Sequence, residues 1–219
     1  ASDRRNRISI KLSMLGQLID ESFCLDNLRR VLEAAAQHDM FVRLDMESSD
    51  LTQSTLDLFE TVYPDYPDCV GPVLQAMLKR TKGDVERMCE LGASVRLCKG
   101  AYAEPESLAY QNMDVIRARF LDYAEQLLRH TQYSGIATHD DRLIEGVQSF
   151  AQMENISPEH FEFQMLYGLR EETQVQMTRD GYNMMVYVPY GTEWFPYFYR
   201  RLRERKENVF FILRNLVRG

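Results

Sequence analysis

Seven short segments with strand character recur along this chain, at 8–12, 41–45, 70–75, 93–98, 135–139, 160–164 and 184–188. Each is followed by a stretch with helical periodicity or by a loop leading into one, at 25–37, 54–62, 83–90, 114–130, 142–153 and 171–179, with a last helix at 208–217. Strict alternation with short connections requires parallel strands joined by crossover helices. Two architectures satisfy that requirement, the closed barrel and the open doubly wound sheet, and both place their chemistry at the C-terminal ends of the strands. A nucleotide-binding open sheet would carry a Gly-x-Gly-x-x-Gly turn after a strand, and no such segment occurs. The expected fold is therefore α/β, a (β/α)8 TIM-like barrel. Seven strands are one short of closure, and the shortfall is expected to be the first β/α unit, truncated or supplied by other polypeptide. Residues 1–219 are read as a single catalytic barrel domain.

Composition narrows the function classes. The net charge of −7 opposes general affinity for nucleic acid, whose phosphates require a surplus of cations. Cys24, Cys69, Cys89 and Cys98 lack the spacing of a zinc ribbon or redox pair, so they are expected as reduced thiols in a cytoplasmic protein. His38, His130, His139 and His160 are scattered, and no metal site is expected. No segment approaches the ~18 consecutive apolar residues of a membrane span.

What recurs instead is a polar or aromatic residue at each strand end. Lys11, Asp45, Gln75, Arg96, Lys99, Tyr102, Thr138, His139, Gln164 and Tyr187 all fall there, with Leu166 nearby. Any one of them alone reads as packing or a satisfied ion pair; their recurrence at a single face points to a site. Beyond the last strand, Thr192 caps a helix and Pro196 falls in its first turn, where a missing N–H is tolerated. On that helix Glu204 lies four residues from Arg200 and three from Arg201, close enough to brace both guanidinium groups. Such a pair matches a small carboxylate bidentately, although a solvated charged face is the commoner meaning of this pattern.

The ordered motifs Ile-Lys-Leu at 10–12, Arg-Leu-Asp-Met-Glu at 43–47 and Arg-Leu-Cys-Lys-Gly-Ala-Tyr at 96–102 resemble proline dehydrogenase. So do Ala-Thr-His-Asp at 137–140, Phe-Glu-Phe-Gln-Met-Leu-Tyr-Gly at 161–168, and Tyr-Val-Pro-Tyr-Gly at 187–191 with the following Arg200 and Arg201. The resemblance implies an FAD-dependent barrel that oxidises L-proline to 1-pyrroline-5-carboxylate by hydride transfer and passes electrons to a quinone. It implies that Arg200 and Arg201 bind the proline carboxylate, that Glu204 orients them, and that Lys11, Asp45, Tyr102, Leu166 and Tyr187 enclose the ring. By the same resemblance Gln75, Arg96, Lys99, Gly100, Ala101, Thr138, His139 and Gln164 contact the flavin. Peripheral contact with the inner face of a bacterial cell membrane follows as the expected source of quinone. Two other readings stay open on the residues alone: a flavin-free lyase or aldolase using Lys11 or Lys99 as a Schiff-base lysine, and a non-catalytic barrel fragment.

Overall fold

The computed structural model describes residues 6–191. Seven parallel strands lie in sequence order in one sheet: β1 (Asn6–Ile10), β2 (Met40–Leu44), β3 (Val70–Gln75), β4 (Arg96–Cys98), β5 (Ser134–Ala137), β6 (Phe161–Leu166) and β7 (Asn183–Tyr187). Six helices connect them: α1 (Glu21–Gln37), α2 (Ser49–Val62), α3 (Thr81–Leu91), α4 (Met113–His130), α5 (Asp141–Met153) and α6 (Glu171–Arg179). The sheet is curled into a half-barrel, because side chains of β1 and β2 reach those of β6 and β7 across its hollow. Arg7 pairs with Glu162, and Tyr187 bonds to Asp45.

Helices α1, α4 and α5 form where the sequence supplies both a side-chain cap and an apolar stripe. Asp20 accepts the Phe23 N–H at 2.8 Å and opens α1, whose buried residues Cys24, Leu28, Leu32 and Ala35 follow helical spacing. Asn112 accepts the N–H groups of Asp114 and Val115 to start α4, which buries Ile116, Phe120, Tyr123, Ala124, Leu127 and Leu128. Arg129 stands in its last turn, where a cation complements the helix dipole. These stripes pack on the outward residues of the sheet, among them Val42, Leu44, Leu97, Ile136, Phe161 and Phe163, and form one continuous core.

The inward face is different. Strand periodicity sends Ser9, Arg43, Arg96, Glu162 and Gln164 into the hollow between outward apolar neighbours. Two glycines make room for them. A Cβ at Gly71 would stand 2.5 Å from Arg43 Nη1, and one at Gly135 would stand 2.2 Å from Gln164 Nε2.

Several boundaries differ from those read off the sequence. The first strand ends at Ile10, and Leu12 is buried in a 3-10 turn, Leu12–Leu15, so it does not continue the alternation of Ile8 and Ile10. Ile8, expected to face the core, is 37% exposed, on the strand at one end of the strand order. Residues 93–95 precede β4, and Thr138 and His139 lie past the end of β5. The sixth strand runs on to Leu166, beyond the Gln164 end expected from the sequence, and the seventh stops at Tyr187. Pro72 does not interrupt β3. It sits where pairing with β2 gives way to pairing with β4, so its missing N–H breaks no continuing ladder. Helices α1, α2 and α3 begin two to five residues earlier than apolar periodicity alone indicates, because their first turns are polar. The capped helix after Tyr187 and the helix at 208–217 lie outside the described residues.

Candidate functional site

All seven strands run the same way, so their C-terminal ends share one rim. At its centre is Arg96, on β4 and almost fully buried. Its Nη1 donates to Asp45 Oδ1 at 2.6 Å, its Nε to Gln164 Oε1 at 2.5 Å and its Nη2 to Ser9 Oγ at 3.1 Å. A guanidinium has five N–H groups, so this arrangement spends three and leaves two for a further acceptor. The ring of Tyr187 also lies 5.4 Å from the guanidinium carbon, within reach of a cation–π contact.

Asp45 immediately follows β2 and gathers donors from two directions, Arg96 on one oxygen and the Tyr187 hydroxyl on the other at 3.1 Å. Burial pushes its carboxyl above the ordinary aspartate range, outweighing the opposing influence of Arg96 and the Tyr187 hydrogen bond. Lys11 approaches the same region, but its partner is Glu47 at 3.4 Å, so Lys11 and Asp45 do not form an ion pair with one another. Gln75 is buried and donates to the Glu47 carbonyl at 2.8 Å, which ties the ends of β2 and β3 together.

The other side of the rim is organised by Asp140. It accepts from Lys99 Nζ at 3.0 Å and from Arg117 Nε at 2.8 Å, and it caps α5. Burial alone would raise its carboxyl, but the two cations prevail and hold it at about 2. Thr138 is buried, and its hydroxyl accepts the Asp140 N–H at 3.1 Å. His139 Nε2 accepts the Leu166 N–H at 3.0 Å, which requires the neutral ring with its proton on Nδ1. Leu166 is thereby fixed at the end of β6. Gly100 adopts φ +102, a left-handed conformation suited to glycine, and carries the chain to exposed Ala101 and Tyr102. Arg200, Arg201 and Glu204 lie outside the described residues.

The fold thus brings together Asp45, Arg96, Gln164 and Tyr187, and sets Lys11, Gln75, Lys99, Thr138, His139 and Leu166 around them. It also adds members that the strand-end criterion passed over. Glu162, Arg7 and Arg43 lie one layer deeper in the hollow. Arg43 is wholly enclosed and donates to the Ser94 carbonyl at 2.5 Å and the Pro72 carbonyl at 3.2 Å. Burial, with the neighbouring charge of Arg96, lowers its guanidinium to about 9. The signal for this layer was present, since charged residues alternate with apolar ones within each strand.

The proline dehydrogenase family profile matches residues 1–214. Proline dehydrogenase 2 of Bacillus subtilis (strain 168) is 38% identical over 213 residues, covering 97% of this chain and 70% of that protein. The proline dehydrogenase of Deinococcus radiodurans is 38% identical over 216 residues, again covering 97% of this chain and 70% of its relative. Among solved structures, proline utilization A from Bdellovibrio bacteriovorus, inactivated by N-propargylglycine, superposes with a TM-score of 0.81 at 28% identity, over 89% of this chain and 24% of that one. With most of its length matched by the family profile and by proteins of that name, and with their barrel topology in its sheet, this chain belongs to the proline dehydrogenase family.

Proposed function

We propose that this chain oxidises L-proline to 1-pyrroline-5-carboxylate with FAD as its cofactor, in proline catabolism. The observation that carries the reading is the Arg96 cluster: a guanidinium held by acceptors on β1, just past β2 and on β6 at the C-terminal rim, with two N–H groups left over. That donor set suits a planar, acceptor-rich isoalloxazine ring. Gln75, Arg96, Gln164 and His139 stand on or just beyond four consecutive strands, β3 to β6, an arc along which such a ring can lie. Lys99, Gly100, Ala101 and Thr138 extend the arc toward the rest of the cofactor.

FAD, when bound, supplies the hydride acceptor. The chain supplies orientation and field. Arg96, held rigidly by its three anchors, would supply positive charge to stabilise a bound flavin as it gains electrons. Asp45 and Tyr187 form one wall of the proline pocket, with Lys11, Leu166 and Tyr102 completing it. Arg200 and Arg201 grip the substrate carboxylate, and Glu204 orients them. The electron acceptor would be a quinone, met through peripheral contact on the cytoplasmic side of the cell membrane. Among the described residues no helix is long and apolar enough to cross a membrane.

A Schiff-base mechanism gains no support from the geometry. Lys11 and Lys99 each face a carboxylate, at 3.4 and 3.0 Å, whereas a nucleophilic lysine must be neutral. The test is a visible spectrum of the purified protein with added FAD, followed by anaerobic L-proline. Flavin bands that bleach on addition support the reading, and a colourless protein that takes up no FAD overturns it. N-propargylglycine, which inactivated the Bdellovibrio protein, should irreversibly abolish the bleaching.

A further inference from the structure

Glu162 has no part in the reading above, yet it is the most completely buried acid among the described residues, at 4% exposure. Its Oε1 receives Gln164 Nε2 at 2.6 Å and also pairs with Arg7, while its Oε2 receives the Tyr133 hydroxyl at 3.0 Å. A carboxylate only accepts, so it dictates which end of the Gln164 amide faces it. The NH2 must turn toward Glu162, and the carbonyl oxygen is thereby turned toward Arg96 Nε. The reversed amide would set its NH2 against a guanidinium, donor against donor. The amide also lies over the bare backbone of Gly135, where a Cβ would come within 2.2 Å of Nε2, so the slot accepts this side chain in a closely defined place.

We propose that Glu162 is a positioning residue for the oxidation: by fixing the orientation of the Gln164 amide it aims the Arg96 guanidinium at the flavin. The proposal rests on the flavin reading given above. Glu162 transfers no atom or electron. It acts through two hydrogen bonds in series, Glu162 to Gln164 and Gln164 to Arg96.

Two substitutions separate this role from simple neutralisation of Arg7. Glu162→Gln keeps an oxygen for Gln164 and Arg7 and presents its NH2 to the Tyr133 oxygen, so orientation survives while the charge is lost. Glu162→Met keeps the bulk and removes the acceptor. Each holoprotein is loaded with FAD. The readouts are the absorption spectrum of the bound flavin, the FAD dissociation constant, and the rate and half-saturation of anaerobic bleaching by L-proline. Glu162→Met should displace the flavin band and slow bleaching about tenfold or more, with half-saturation by proline within about twofold of wild type. Glu162→Gln should stay within about threefold of wild type on every measure. If Glu162→Met matches wild type in spectrum and rate, or if both variants lose function equally, the proposal is overturned; the second result would mean that the Arg7 ion pair alone matters. Should Glu162→Met fail to fold because that pair is broken, the double variant Arg7→Met, Glu162→Met carries the same comparison. A wild-type protein that neither binds FAD nor bleaches overturns the flavin reading and this proposal together, whereas a normal wild type with an unaffected Met variant overturns this proposal alone.

Discussion

Tyr187, at the end of β7, donates its hydroxyl hydrogen to Asp45 Oδ2 at 3.1 Å, and the two residues lie 142 positions apart in sequence. The bond draws opposite flanks of the half-barrel together at the rim. It also orders Asp45 from the side that Arg96 does not reach. Tyr187→Phe keeps the ring and removes the hydroxyl that bonds Asp45, and should cost about 1 kcal/mol of stability. The Asp45 carboxyl, already above its ordinary range, should rise further because a donor that favours the anion has gone. Denaturant unfolding and the pH dependence of proline-driven flavin reduction measure the two effects; a wild-type profile for both would show that the hydroxyl contributes nothing.

Arg96→Met leaves Asp45 half-buried without its main counter-charge. Loss of one partner of a buried pair typically costs roughly 3–5 kcal/mol. The side chains of this pair are 8% and 16% exposed, so the lower end of that range is expected. The variant should unfold at lower denaturant concentration, and where it folds it should hold flavin that proline reduces slowly. Restoring the balance with Asp45→Asn in the Arg96→Met background should recover part of the stability.

Gly135→Ala introduces a methyl group 2.2 Å from Gln164 Nε2. A flexible side chain would swing away, but this amide is held by Glu162 on one side and Arg96 on the other. Overpacking of this kind costs typically 1–3 kcal/mol. A melting temperature equal to that of wild type would mean that Gln164 moves freely.

Acid stability tests the two aspartates in opposite directions. Asp140 is held at about 2 when folded, below the ordinary aspartate value of 3.8, so its contribution is fully present above about pH 4 and is lost as pH falls toward 2. Asp45 titrates above 3.8 when folded, so its contribution declines as pH rises from that value through its folded pKa. Asp140→Asn should therefore flatten the acid limb of the stability curve. Asp45→Asn should lessen the decline on the higher-pH side. Chemical denaturation at stepped pH reads both, and an unchanged acid limb in Asp140→Asn would refute the Lys99–Asp140–Arg117 cluster as a source of stability.

Arg200→Met and Arg201→Met should each weaken binding of a proline analogue bearing a carboxylate by about 2 kcal/mol, the scale of a lost charge-assisted contact. Titration of flavin absorbance with such an analogue is the measurement. Unchanged affinity in both variants would remove the carboxylate role from these two arginines.

Much of the architecture could be read from local pattern. All seven strands stand where short apolar runs placed them, because a run of β-branched and aromatic residues flanked by turns has few other uses. Their helical connections followed from the same alternation. Helix starts were less legible: α1 and α2 open on polar residues, Glu21-Ser22 and Ser49-Asp50, so apolar spacing does not mark them, and only α1 has a side-chain cap, from Asp20. Leu12 was misplaced for a related reason. It is apolar at the right interval, but a 3-10 turn ending at Gly16 already bends the chain away from the sheet.

The sequence by itself determined the alternating α/β plan, the rim at which the polar strand ends gather, and a family likeness carried in ordered motifs. Those are properties of short segments, governed by periodicity, capping and turn chemistry. Which side chains touch was decided only by the tertiary structure. Lys11 went to Glu47 and Asp45 to Arg96 and Tyr187, since sheet curl and register set the distances across the hollow. Glu162, marked in the sequence only by its alternation with Phe161 and Phe163, became an organiser of Gln164 because β6 turns it inward beneath Gln164 and opposite Arg7, and a buried carboxylate requires its donors.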